Sequence, residues 1–125
     1  MKSRHNLVRL KQFQVSEKRR QLAQLDLMIA EFDRMAMELD AQIAADEKKA
    51  GITDINHFAY PTFAKAARQR RDNLRDSQVD LAQQKEAAQL ALEEAEQELA
   101  KAEMLESRDG RGRDTGEEPR HAMHG

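Results

Sequence analysis

The segment from Leu22 to Ile43, LAQLDLMIAEFDRMAMELDAQI, carries large apolar residues at alternating steps of three and four. Such steps place side chains on one face of an α-helix and repeat every seven residues, which is the pattern of a coiled coil. The pattern extends toward the N-terminus once Lys11 and Lys18 are accepted at positions that face the partner helix. The predicted contact positions of this helix are Val8, Val15, Leu22, Leu25, Ile29, Phe32, Ala36, Leu39 and Ile43.

A second series with the same spacing follows Pro61. It is poorer, because polar residues occupy three positions where apolar ones are typical. Its predicted contact positions are Ala64, Ala67, Arg71, Leu74, Gln78, Leu81, Lys85, Ala88, Leu92, Ala95, Leu99 and Ala102. A fold-back centred near Asn56 places Leu39 opposite Leu74. The two series together predict an all-α fold, a long antiparallel two-helix coiled-coil hairpin with a disordered C-terminal tail.

Glycine and proline mark the expected ends of both helices. Ser3 is an N-cap residue, Gly51 suits the position just after a helix, and Pro61 suits a first helical position. Gly110 and Gly112 are expected to end the second helix, and the segment after them has no periodicity. The hairpin domain is therefore predicted over 1–108, with a helix at about 3–50, a connection at about 51–60, a second helix at about 61–108 and a flexible tail at 109–125.

Composition excludes several classes of protein. Of 125 residues, 35% are charged and only 4% aromatic, too few large side chains for a β-sandwich or a deep core. The chain has no cysteine, which excludes a disulfide framework and a thiolate metal site. No run approaches the ~20 apolar residues of a membrane span, and the N-terminus lacks an apolar signal region. We expect a soluble, unprocessed protein, and the lack of cysteine fits a reducing cytoplasm.

Catalytic and metal-binding motifs are missing from the sequence. There is no glycine-rich phosphate loop and no nucleophile elbow, and His121 with His124 has no second pair of ligands. The glutamates of the second helix are typical of a solvated helix face. We therefore expect no enzyme activity, no metal and no cofactor.

The charges come in four alternating blocks. Residues 1–20 hold seven basic side chains against one acid, and residues 21–60 hold eight acids against three bases. Residues 61–76 hold five bases against two acids, and residues 77–107 hold eight acids against two bases. Each exposed ion pair contributes only ~0.2–1 kcal/mol. The blocks therefore favour the antiparallel orientation and its register more than they add stability.

Two groups of residues are candidate binding surfaces. Phe58, Tyr60 and Phe63 lie at the connection, followed by the basic Arg68 and Arg71. These aromatics either cover the end of a thin hairpin or bind a protein surface or nucleic acid, and both roles are compatible.

The second candidate surface lies in the basic start of the first helix. It contains Arg9, Phe13, Arg19 and Arg20. These residues either pair with the acidic second helix or hold an acidic partner.

Two stretches resemble a known family. RLKQFQVSEKRRQLAQLDLMIAEFDRMAMELD, residues 9–40, and GITDINHFAYPTFAKAARQRRDNLR, residues 51–75, are similar to the flagellar export protein FliJ family in its alphaproteobacterial form. The likeness extends over about residues 1–106. Its most specific part is HFAYPTFAKAARQRRDNL, residues 57–74, which is not generic heptad sequence.

The resemblance implies a non-enzymatic stalk of the flagellar type III export apparatus, similar to the central stalk of rotary ATPases. It implies a cytoplasmic location, peripheral to the inner membrane, without membrane insertion or nucleic-acid binding. The implied partners are the export ATPase hexamer, the cytoplasmic domain of the export-gate membrane protein and export chaperones. The early end predicted for the second helix departs from the longer helix usual in a stalk.

Site residues follow from charge and exposure at the matching positions. The expected ATPase contacts are Arg9, Phe13, Arg19 and Arg20, and the expected gate contacts are Phe58, Tyr60, Phe63, Arg68 and Arg71. The alternatives are a self-associating coiled-coil scaffold and a basic RNA-binding hairpin.

Overall fold

Two long helices make up the fold. The computed structural model describes the backbone of residues 2–122 and the side chains of residues 3–110. Helix α1 spans Lys2–Ala50 and helix α2 spans Thr62–Ala122, and this part of the chain contains no strand. The predicted all-α antiparallel hairpin is confirmed. Neither helix, over the described residues, has a segment apolar and long enough to span a bilayer.

The chain divides into two compact units. The first, here called the turn unit, is Ala23–Glu86 and contains the connection. The second, here called the open unit, combines the described residues up to Leu22 with those from Ala87 onward. In each unit, a segment of α1 packs antiparallel to a segment of α2.

The predicted contact positions form the interface between the helices in both units. Every one of them is buried or half-buried, including the half-buried Lys11 and Lys18. In the turn unit Leu39, Ile43 and Ala67 form a buried cluster, and Leu74 packs against it. Leu39 and Leu74 therefore lie together as the predicted register requires.

The three polar contact positions of α2 all lie in the turn unit, and each has a partner on α1. Arg71 Nη1 lies 2.6 Å from Asp40 Oδ1, and Lys85 Nζ lies 2.7 Å from Asp26 Oδ1. Gln78 Nε2 donates to the backbone carbonyl of Ile29 at 3.2 Å. Because a half-buried polar group is costly only when it is unpaired, these residues fit an otherwise apolar interface.

Gly51 ends α1, as predicted. It has φ of 74°, in the left-handed region that glycine adopts without a steric penalty. The backbone N–H groups of Gly51 and Ile52 both donate to the carbonyl of Glu47, at 2.8 and 3.3 Å. This αL cap satisfies a carbonyl that the last helical turn leaves without a partner.

The bounds of α2 differ from the prediction at both ends. The carbonyl of Pro61 accepts the first helical bond, from the N–H of Lys65 at 3.0 Å, so Pro61 precedes the helix as its cap. At the other end α2 continues past Arg108 to Ala122, and Arg4 pairs with Asp109 at 3.1 Å. Glycine in a helix costs only about 1 kcal/mol, which disfavours a helix without excluding it.

Two predictions concern the C-terminal segment, residues 109–125. The flexibility predicted for 109–125 stays a prediction, and its last three residues lie outside the described residues. The side chains of His121 and His124 also lie outside the part that the structure describes.

The two glycines should respond to alanine in opposite directions. Gly51→Ala should lower the free energy of unfolding by about 1–2 kcal/mol, because φ of 74° strains an L-residue although no atom lies within 4 Å of an added Cβ. Gly110→Ala should raise it by up to about 1 kcal/mol, since that position is helical and equally open. Urea unfolding of both variants measures the difference. A loss of stability in Gly110→Ala would contradict a helix through residue 110.

Candidate functional site

A row of ion pairs joins the two helices of the turn unit. Four acids of α1, spaced seven residues apart, each meet a base of α2 whose number falls as the number of the acid rises. The pairs are Asp26–Lys85, Asp33–Arg75, Asp40–Arg71 and Glu47–Arg68, with N–O distances of 2.7, 2.8, 2.6 and 2.7 Å. Heptad spacing puts the acids on one edge of α1. The row therefore fixes the orientation and register of this unit.

Hydrogen bonds among the side chains of Tyr60, Glu47 and Arg68 attach the connection to both helices. The Tyr60 side chain is buried, and its hydroxyl donates to Glu47 Oε2 at 2.6 Å. Arg68 donates through Nε to the Tyr60 hydroxyl at 2.8 Å and through Nη2 to Glu47 Oε2 at 2.7 Å. Each of the three groups thus bonds to both others, and bonds to ionised groups are stronger than neutral ones.

This arrangement makes the turn unit sensitive to acid. The hydrogen bond from Arg68, and next that from Tyr60, hold the pKa of Glu47 below its ordinary value of 4.5. The folded pKa lies below the unfolded one, so the stabilisation is present above the unfolded pKa and is lost as the pH falls through the folded one. Wild type should lose thermal stability below about pH 4.5 more steeply than Glu47→Gln. Parallel melting curves of the two proteins from pH 6 downward would show no added steepness if the interpretation were wrong.

Two short turns build the connection itself. The carbonyl of Asp54 accepts from the N–H of His57, and the carbonyl of His57 accepts from the N–H of Tyr60, both at 3.0 Å. The carboxylate of Asp54 also accepts from the N–H of Asn56 at 2.9 Å, and the His57 and Phe58 rings stack with centroids 4.8 Å apart. These bonds give the connection a defined backbone.

Two aromatic rings near the end of the hairpin are exposed to solvent, one in the connection and one in the first turn of α2. Phe58 is 96% exposed and Phe63 is 78% exposed. Exposed aromatic side chains on a rigid backbone are typical of protein interfaces, because they bury large area at a small entropy cost. We call Phe58 and Phe63 the aromatic pair.

The residues predicted for the gate contact therefore separate into two groups. The aromatic pair is available to a partner, whereas Tyr60, Arg68 and Arg71 are engaged within the turn unit. Arg71 also donates to Asp72 at 3.0 Å, and its pKa is raised by its hydrogen bonds to Asp40 and Asp72. Tyr60 covers the end of the hairpin, as one interpretation predicts, and binding of a partner by the exposed Phe58 and Phe63 stays a prediction.

Ion pairs in the open unit run with the opposite polarity, from bases of α1 to acids of α2. Arg19 is among these bases, while Arg20 pairs along its own helix with Glu17. The ion pairs between helices are Arg4–Asp109, Lys11–Glu98 and Arg19–Glu96, at 3.1, 2.6 and 3.2 Å. In addition, His5 Nδ1 lies 3.0 Å from Glu106 Oε2. Much of the basic start of α1 is thus paired internally, as the charge blocks predict.

Arg9 and Phe13 remain exposed on one face of α1. Phe13 is 62% exposed, and Arg9 makes no ion pair among the side chains of residues 3–110. Leu10, 49% exposed, belongs to the same surface because it lies three residues before Phe13. We call Arg9, Leu10 and Phe13 the N-terminal patch. Sequence analysis did not identify Leu10 as a site residue. The sequence does show that Leu10 lies outside the heptad contact series, where an apolar side chain is left on the surface.

No group of three or more His, Cys, Asp or Glu side chains that could hold a metal occurs among the described residues. No family model, no curated protein and no solved structure matches this chain.

Proposed function

We propose that the chain is a non-enzymatic coiled-coil stalk of the flagellar type III protein export apparatus, which connects the export ATPase with the export gate and its chaperones. The proposal starts from the resemblance of residues 9–40 and 51–75 to the FliJ family. It places the protein in the cytoplasm, at the inner-membrane export apparatus. The antiparallel helix pair is the fold that such a stalk requires.

The observation that best supports the proposal is the exposure of the aromatic pair. Phe58 is exposed in the connection, and Phe63 is exposed in the first turn of α2. Tyr60, Glu47 and Arg68 hold the connection in place. A protein with no partner gains nothing from exposing two phenylalanines at this end of the turn unit, and a preorganised surface loses little entropy when it binds. We assign the gate contact to this pair.

The N-terminal patch supports a second contact. Arg9 supplies a positive charge that has no ion-pair partner among the side chains of residues 3–110, and Leu10 and Phe13 supply apolar area beside it. Arginine and aromatic residues in one exposed patch are the composition of interface hot spots. We assign the ATPase contact to this patch, with Arg19 and Arg20 at its border.

A self-associating scaffold is the second candidate. The observation that favours it is the exposure of Leu27, at 71%, and Met37, at 59%, on α1 of the turn unit. RNA binding is not proposed, because Arg68 and Arg71 are neutralised by acids of α1.

Two measurements on the full chain test the function. Isothermal titration with the purified export ATPase and with the cytoplasmic domain of the export gate should show saturable binding to each. Light scattering after size-exclusion chromatography should show a monomer at micromolar concentration. A stable homodimer that binds neither protein would replace the stalk with the scaffold.

A further inference from the structure

A cleft lies beside Phe58 in the turn unit, between the connection and the start of α2. It measures about 430 Å³, which is within the ~300–1,000 Å³ range of ligand-binding clefts. Most of its surface is polar, so it suits a polar group better than an apolar side chain. Its lining includes the polar residues Asn56, His57, Thr62 and Lys65 and the apolar residues Ile55 and Phe58.

The lining supplies a positive charge and hydrogen-bond donors. Lys65 is exposed and forms no ion pair among the side chains of residues 3–110. Asn56 and Thr62 add an amide and a hydroxyl group, and both of these groups can donate. No aspartate or glutamate of the described chain lines the cleft. The cleft therefore has the charge and the donors that an anion requires.

The hydrogen bonds of the connection make His57 a donor as well. Its Nδ1 accepts from the backbone N–H of Ala59 at 3.0 Å, so the neutral ring carries its hydrogen on Nε2. The ring also stacks on Phe58, with centroids 4.8 Å apart. These two contacts hold the imidazole in one orientation and leave Nε2 to donate to an acceptor.

Further lysines lie at the same end of the turn unit. Lys48 and Lys49 are in the last turn of α1, and neither forms an ion pair among the side chains of residues 3–110. The acid of the connection, Asp54, accepts from the backbone N–H of Asn56 at 2.9 Å and does not line the cleft. Unpaired lysines around the cleft favour the approach of an acidic partner over a basic one.

We propose that this cleft binds the carboxylate of an acidic side chain, glutamate or aspartate, from a protein partner. Lys65 supplies the opposite charge, and hydrogen bonds to an ionised carboxylate are stronger than bonds between neutral groups. A single lysine balances the one charge of a carboxylate, whereas phosphate groups are typically held by the planar fork of arginine. The nearby Arg68 and Arg71 are engaged by acids of α1, so the cleft favours a carboxylate over a phosphate.

The inference rests on the proposed function in one respect, that the turn unit meets a protein partner. Phe58 lines the cleft and belongs to the aromatic pair, so an acidic residue bound here would lie beside the assigned gate contact. The chemistry of the cleft does not depend on the identity of the partner. A small carboxylate therefore tests the cleft without the export gate.

A titration followed by NMR tests the cleft on the full chain. Protein labelled with 15N receives acetyl-glutamate amide, acetyl-glutamine amide or inorganic phosphate at tens of millimolar and at constant ionic strength. We expect the glutamate derivative to shift the backbone amides of Asn56, His57 and Lys65 in a saturable way. The glutamine derivative has the same shape without the charge and should leave these amides unchanged. Phosphate should bind no more tightly than the glutamate derivative.

Two lysine variants complete the test. Lys65→Gln removes the charge in the cleft and should weaken binding of the glutamate derivative by at least about tenfold. Lys48→Gln removes a charge at the same end of the turn unit, outside the cleft, and should change binding by less than about twofold. Both lysines are exposed, so both variants should melt at the wild-type temperature.

Several results would overturn the proposal. One is the absence of saturable shifts in the wild type, and another is equal binding of the glutamine derivative. Equal loss in Lys65→Gln and Lys48→Gln would reduce the site to general attraction by a basic surface, and tighter binding of phosphate would assign the cleft to phosphate. Titration with the export-gate domain separates this inference from the proposed function. Gate binding without the carboxylate shifts would remove the cleft alone, and carboxylate shifts without gate binding would remove the proposed function alone.

Discussion

Replacing Phe58 and Phe63 together by alanine should weaken binding to the cytoplasmic domain of the export gate by about 100-fold or more. Central aromatic anchors contribute more to an interface than any other residues, and both rings are exposed in the free chain, at 96% and 78%. Their removal deletes almost no contact within the turn unit. The melting temperature should therefore stay within about 2 °C of wild type, since exposed substitutions change stability little. Titration calorimetry and thermal unfolding measure the two quantities.

Tyr60→Phe is the matched control for the aromatic pair. It keeps a ring in the same connection but removes the hydroxyl that donates to Glu47 and accepts from Arg68. This variant should melt at a lower temperature and, while folded, bind the gate domain with wild-type affinity. If Tyr60→Phe lost binding and the double alanine variant kept it, our division of the aromatics would be reversed.

Every contact position that the heptad pattern predicted is buried or half-buried within its unit. Apolar spacing is a local property of a helix, so the contact face can be deduced from the sequence, and even Lys11, Lys18 and Gln78 follow it. The charge blocks likewise predicted that bases of one helix meet acids of the other. The specific row from Asp26 to Glu47 was also visible as acids seven residues apart.

The direction of each aromatic at the connection was not predictable. Phe58 and Tyr60 are two residues apart with similar neighbours, yet one is 96% exposed and the other 8%. The turns through Asp54 and His57 decide which ring points inward, and the selection of Tyr60 depends on Glu47 and Arg68, both distant in sequence. A groove that Asp46 and Ala50 line together with Pro61 and Phe63 escaped sequence analysis for the same reason, since its two sides meet only after the chain folds back.

The end of α2 departs from the local signal of its glycines. Gly110 and Gly112 predicted a stop near Arg108, because glycine is the poorest helix former after proline. The structure instead brings Asp109 against Arg4, a residue near the start of the chain. A local pattern contains no information about that partner.

Arg9→Glu combined with Phe13→Ala should weaken binding to the export ATPase by at least about 30-fold and leave gate binding unchanged. Arg9 has no ion pair among the side chains of residues 3–110, and Phe13 is 62% exposed, so neither change disturbs the described packing of the open unit. Affinity should also fall with added salt in wild type and less steeply in the variant, since charge reversal removes part of the electrostatic attraction. Calorimetry at two salt concentrations measures both effects.

The comparison variant is Arg19→Glu with Arg20→Glu. Arg19 lies 3.2 Å from Glu96, so this reversal places like charges together across the helix pair and adds a loss of stability to any loss of binding. The melting temperature therefore distinguishes the two variants. The N-terminal patch variant should melt at the wild-type temperature, and the variant with Arg19 and Arg20 reversed should melt at a lower temperature. A contrary result would be that both variants lose ATPase binding to the same extent, and only at temperatures where they unfold. The basic start of α1 would then stabilise the fold and would not contact the ATPase. Equal loss of ATPase and gate binding in the patch variant would mean that the two surfaces are not specialised, and the assignment of separate partners would fail.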